Sequence, residues 1–175
     1  MHISSDANIW IDFQTIDALS FPFRLDHSYF MSADAIEDEL LNPPGLGKQL
    51  VALGLLPLEL TTTEFFAVFS VLKSYPQLSR YDAAALVVAR ERGYVLLTGD
   101  KQLRGAGISE GVIVRGTLWI LDELEQEGRI SREEYDTCLT ELLKHNGGMI
   151  RLPTSISRAI CKVQFIDSGV AKCNC

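Results

Sequence analysis

The chain is short of the side chains that would announce several kinds of chemistry. It has 3 histidines and 4 cysteines in 175 residues. His2, His27 and His145 are scattered, and nothing stands at zinc-ligand spacing from Cys173-Asn174-Cys175, so a structural zinc site is not expected. Cys138 stands apart from Cys161, Cys173 and Cys175, which crowd the last fifteen residues; this is not the disulfide framework of a small secreted fold. Basic charge is also scarce. With 16 Lys and Arg against 23 Asp and Glu, and a net charge of −7, a broad non-specific grip on nucleic acid is excluded. Any polyanion must be met locally or through a partner. No apolar run reaches the roughly 18–20 residues that span a bilayer. The opening "MHISSDANIWIDF" has neither a basic segment nor an apolar signal core, so a soluble, cytoplasmic protein without a membrane partner is expected. There are no internal repeats and no low-complexity linker.

What is present suffices for one core. Hydrophobic residues make up 47% of the chain and charged residues 22%, which suits a single domain over residues 1–165, with 166–175 as a flexible tail. Strand and helix signals alternate. "MHISS" favours a strand ending at Asp6, and "SADAIEDELLN" has helical composition and stops at Asn42-Pro43-Pro44-Gly45. "LLPLEL" suits a short strand that Pro57 confines to an edge. Capping-box patterns at Thr61–Glu64, Ser79–Asp82 and Ser131–Glu134 open three helices. The first, "FFAVFSVLKSY", reads as an amphipathic core helix, with Trp10, Phe13, Trp119, Phe65, Phe66 and Phe69 as core or interface aromatics. "YVLLTG" and "GVIVRG" are strands, "KQLR" begins a helix, "TLWILDELEQEG" is helical, and a short helix is expected after Pro153. Strands separated by helices imply an α/β fold with a parallel sheet, followed by a mainly helical part over 115–165.

Four acids fall at comparable places. Asp6 follows the first strand, Asp100 follows the best strand, Asp82 stands at the mouth of the helix leading into it, and Glu37 or Glu39 lies on the helix between. Singly, each has a plain reading: Asp6 an Asx turn, Asp82 a capping acid, Asp100 an N-cap, the glutamates a solvated face. Open parallel sheets gather their chemistry at the carboxyl ends of strands. Several carboxylates meeting there would repel one another unless a cation such as Mg²⁺ or Mn²⁺ neutralised them.

"ISSDANIWIDF", "ADAIEDELL" and "LSRYDAAALVVARERGYVLLTGDKQLRGAG" together resemble the PIN-domain ribonucleases, particularly the VapC-like toxins of toxin–antitoxin pairs. The family's opening aspartate and nearby asparagine match Asp6 and Asn8, and its Glu-Leu pair on the next helix is matched best by Glu39-Leu40. Its third acid opens an Ala-rich helix as Asp82 does, and its Thr-x-Asp is matched by Thr98 and Asp100. The resemblance covers residues 3 to about 107, and crowding around Glu39 leaves Glu37 and Asp38 as alternatives for the second acid. It implies a three-layer α/β/α fold with a helical C-terminal extension. The implied activity is cleavage of RNA with one or two Mg²⁺ or Mn²⁺ ions held by Asp6, Glu39, Asp82 and Asp100, supported by Asn8 and Thr98. An antitoxin and a homodimer are implied as partners. Lys101, Arg104 and Arg80 lie beside these acids in sequence and are candidates for the RNA backbone, against a plain reading as a solvated face. Two other classes share some of these features: a haloacid-dehalogenase-like phosphatase and a catalytically silent PIN-like scaffold. The phosphatase needs a second aspartate where this chain has Asn8.

Overall fold

In the computed structural model, which describes residues 1–145, the chain begins at the centre of its sheet. Strand β1 (His2–Ser5) is buried from Ile3 onward and lies between β2 (Ser28–Ser32) and β4 (Val95–Leu97); β3 (Leu56–Leu58) and β5 (Val114–Arg115) are the edges. All four pairings are parallel, in the order β3-β2-β1-β4-β5. The chain therefore steps outward from β1 to β3, crosses the sheet, and resumes on the other side of β1. The strand order reverses between β1 and β4, where open parallel sheets leave a crevice at their carboxyl ends.

Helices cover both faces. The crossover is made by α4 (Thr62–Ser74) and α5 (Arg80–Arg92), and α6 (Lys101–Ser109) joins β4 to β5. Val68, Val71, Ala83, Leu86, Val87 and Leu103 form the core on that side. The other core is built by α1 (Ala7–Thr15), α2 (Ala33–Glu39), α3 (Leu46–Leu53), α7 (Thr117–Gln126) and α8 (Arg132–His145). Trp10, Phe13, Tyr29, Leu50, Ile120 and Leu142 fill it. Leu96 and Leu97 show why a sheet needs both: as neighbours on a strand they point to opposite faces, one into each core. The three-layer α/β/α fold is thus observed. Among the described residues no helix is long and apolar enough to cross a membrane.

Three elements escaped the sequence patterns. β2, "SYFMS", alternates buried Tyr29 and Met31 with half-buried neighbours, but it is short and flanked by serines. α1 begins at Asp6 without a side-chain capping bond. α3 follows the Pro-Pro-Gly breaker and carries Gly47, where a Cβ would meet Ile36 Cγ2 at 2.9 Å; the absent side chain lets α3 close on α2. Residues after His145, including the helix expected beyond Pro153, the 166–175 tail and Cys161, Cys173 and Cys175, lie outside the described residues. Cys138 is buried in α8.

Of the two places expected for the α4 aromatics, core or interface, the core is ruled out. α4 does not bury its phenylalanines: Phe65, Phe66 and Phe69 are 52%, 65% and 56% exposed, with Phe65 edge-on to each of the other two. Helical spacing places Val68 and Val71 against α5, which leaves the aromatic positions on the outer face. Glu64 is the buried acid of this helix. Its carboxylate accepts from the Thr61 N–H at 2.8 Å and from Arg92 Nε and Nη2 at 2.6 and 2.8 Å, tying the head of α4 to the end of α5. The Arg92 hydrogen bonds hold its carboxyl down, at about 2 against an ordinary 4.5. A depressed carboxyl stabilises the fold above its unfolded value and loses that contribution as pH falls toward the folded one. Glu64→Gln is therefore expected to cost roughly 2–3 kcal/mol at neutral pH, read by urea denaturation, and much less near pH 2.

Candidate active site

Asp6 is placed by the sheet itself. Its N–H donates to the Leu97 carbonyl at 3.0 Å, extending the β1–β4 ladder one residue past the strand, and its side chain is buried. Thr98, the residue after β4, is also buried and donates from Oγ1 to Asp6 Oδ2 at 2.8 Å; Asn8 Nδ2 donates to the same oxygen at 3.1 Å. The Thr98 hydroxyl in turn accepts the Asp100 N–H at 2.9 Å. One hydroxyl thus joins the ends of β1 and β4 and sets the bend at Gly99 that carries Asp100.

The other acids hang from helix ends. Asp100 Oδ1 accepts from the N–H groups of Gln102 and Leu103, both at 2.8 Å, capping α6. Asp82 closes the capping box of α5: its Oδ2 accepts from the Ser79 N–H at 2.8 Å, while Ser79 Oγ accepts from the Asp82 N–H at 3.0 Å. The plain and functional readings are compatible here, because each cap uses one carboxylate oxygen. The second has no hydrogen-bond partner among the described residues. Glu39, the last residue of α2, lines a small recess together with Asp6, Ser32 and Tyr81. Glu37 instead faces a groove of about 510 Å³ between α2 and α3, and Asp38 pairs with Arg80 at 2.8 Å and accepts from the Tyr81 hydroxyl.

Asp6, Glu39 and Asp82 lie near enough for their charges to interact. Burial pushes the Asp6 carboxyl up to about 6, and Asp82 adds to this against the opposing Thr98 and Asn8 bonds. Glu39 is raised to about 7 by burial first, then by Asp6 and Asp82. Asp100 reaches the group through Thr98 rather than through charge.

A fifth acid, Asp12, was hidden in the apolar run "NIWIDF" and carried no sequence signal. It is buried on α1, accepts from Thr117 Oγ1 at 2.5 Å and lies beneath the bend, 3.7 Å from where a Cβ on Gly99 would sit. Burial raises its carboxyl to about 7, with a further contribution from Asp6.

The donor chemistry suits a hard divalent cation, since every group is a carboxylate oxygen and three of them repel. Among the described residues, however, no three Asp, Glu, His or Cys side chains stand at metal-ligand spacing, so binding would require these side chains to turn inward.

A family model described as a PIN domain matches residues 2–164. The chain belongs to the PIN-domain family. Comparisons with curated proteins and with solved structures each returned no match. PIN domains are generally nucleases that bind nucleic acid and typically use divalent metal ions. Against that background the three basic candidates separate. Arg104 Nη2 donates to the Thr98 and Arg115 carbonyls at 2.7 and 3.4 Å, so its guanidinium braces the ends of β4 and β5. Lys101 is exposed at the head of α6, and Arg80 is exposed with its guanidinium 4.5 Å over the Tyr81 ring.

Proposed function

We propose that this PIN domain is a divalent-metal-dependent endoribonuclease acting as the toxin of a toxin–antitoxin pair. What supports the nuclease reading is the recess beside the end of β1 that Asp6 and Glu39 line, with Asp82 near enough to act on both charges and Asp100 linked to Asp6 through Thr98. Asp6, Glu39, Asp82 and Asp100 would hold one or two Mg²⁺ or Mn²⁺ ions. Such an ion supplies a lowered pKa for the attacking water and offsets charge developing on the leaving 3′ oxygen. Thr98 and Asn8 fix the orientation of Asp6, and Thr98 also fixes the backbone of Asp100. Lys101 is suited to the phosphate backbone, and so is Arg80 once it exchanges its Asp38 partner for a phosphate, which local contact permits despite the net charge of −7. The exposed phenylalanines of α4 are the candidate surface for an antitoxin or a second copy.

Purified protein is expected to cut single-stranded RNA with Mg²⁺ or Mn²⁺, leaving 5′ phosphates and 3′ hydroxyls, and to lose this in EDTA. Intact RNA together with no divalent-ion binding in calorimetry would leave a silent scaffold, and phosphate release from small monoesters with RNA uncut would point to a phosphatase. The toxin assignment fails if expression of an active enzyme does not slow growth.

A further inference from the structure

Thr98 owes only part of its position to the sheet. It is fully buried, and its N–H donates to the Arg115 carbonyl at 3.0 Å. Beyond Arg115 the chain turns through Gly116 into α7, and among the described residues no backbone N–H meets the Thr98 carbonyl. A carbonyl left bare on a buried residue is costly, and Arg104 Nη2 supplies the missing donor at 2.7 Å. That carbonyl belongs to the Thr98–Gly99 peptide, on which the bend turns, and the freedom of a glycine would otherwise let Asp100 swing.

The guanidinium enters through a gap left by Gly116. A Cβ there would stand 2.8 Å from Arg104 Nη2, yet the backbone is extended, with φ −142°, so the glycine provides room rather than an unusual conformation. Burial lowers the pKa of the guanidinium, and no carboxylate pairs with it among the described residues. The bonds around it close a ring. Asp100 Oδ1 caps α6, and one turn later the Arg104 N–H donates to the Asp100 carbonyl at 3.0 Å. The Arg104 side chain then returns to Thr98, whose hydroxyl holds both the Asp6 carboxylate and the Asp100 N–H.

We infer that Arg104, seated in the gap at Gly116, is a positioning residue that fixes the Thr98–Gly99 peptide and through it the placement of Asp100 beside Asp6. Its effect on cleavage rests on the nuclease reading; its hold on Asp100 does not, and the two are measured apart.

Arg104→Met keeps a long side chain and a good helix former while removing every donor. In EDTA, hydrogen exchange followed by NMR is expected to show the Asp100 amide about tenfold less protected in this variant, with the Leu96 amide of β4 unchanged. With Mg²⁺ or Mn²⁺, kcat for RNA is expected to fall about 10- to 100-fold while KM stays within about twofold of wild type. Gly116→Ala, which crowds the guanidinium out of its gap, should reproduce both effects. Adding it to Arg104→Met should cost nothing further, since the group it displaces is gone. An Asp100 amide as protected in both variants as in wild type would overturn the assignment, and so would losses that multiply in the double variant. A raised KM with kcat intact would make Arg104 a phosphate contact instead. Loss of Asp100 protection in both variants, with RNA left uncut by wild type, would keep the brace and overturn the nuclease.

Discussion

Asp6→Asn is expected to lower kcat/KM for RNA cleavage by about 10³-fold or more without loss of the fold. Asparagine keeps the volume of the side chain, and its carbonyl oxygen still accepts from Thr98 Oγ1 and Asn8 Nδ2, so the local bonding survives. What disappears is the charge. Asp6 and Glu39 are raised by burial and by neighbouring acids, a cost to the metal-free protein, and removing the Asp6 charge relieves Glu39. Thermal stability in EDTA should therefore hold or rise while activity collapses, a pairing that a merely structural Asp6 would not produce. Thr98→Val gives the graded counterpart: it removes the hydroxyl joining Asp6 to the Asp100 N–H, and about a 10- to 100-fold loss is expected, as for partners that orient metal ligands. Cleavage by Asp6→Asn within tenfold of wild type would remove Asp6 from the machinery.

How far such a site can be read in advance depends on what kind of force places each residue. Asp82 and Asp100 were legible because backbone chemistry announces them: a capping box and a Gly-Asp after a strand are local patterns, and both appear as expected. Gly93 closes α5 at φ 67°, where an Ala-rich helix gives way to the strongest strand signal, so that boundary was legible too. Glu39 was not separable from Glu37 and Asp38 by periodicity. Only tertiary packing divides them: Glu39 faces Asp6, Glu37 faces the α2–α3 groove, and Asp38 is held by Arg80 and Tyr81. Arg104 and Lys101 looked alike in sequence, yet the half-buried guanidinium of Arg104 binds two carbonyls because β5 ends beside it. The phenylalanines of α4 could not be divided between core and surface in advance, since hydrophobicity records what a surface avoids and not which neighbour covers it.

Asp12 is the residue whose test separates burial from the rest of this electrostatic problem. Its carboxyl titrates near 7 in the folded protein against 3.8 for the ordinary group. Between those values the folded state holds a proton that the unfolded state has lost, so stability falls as pH rises and levels off above about 7. The ceiling on that change is about 4 kcal/mol, at 1.36 kcal/mol per unit. In Asp12→Asn the new amide oxygen would still accept from Thr117 Oγ1, and the side chain would not titrate. Urea denaturation from pH 5 to pH 8 in EDTA should therefore show wild type losing stability with rising pH and Asp12→Asn losing less, by about 2–3 kcal/mol over the range. Asp6 and Glu39 have raised carboxyls as well, so a residual slope is expected in the variant. Saturating Mg²⁺ should flatten that remaining slope by lowering both of their pKa values, while the part due to Asp12 persists beneath the Gly99 bend, outside the proposed ligand set. An Asp12→Asn protein with the full wild-type slope would show that Asp12 is ionised in the fold, and that the raised pKa belongs to the metal-site acids alone.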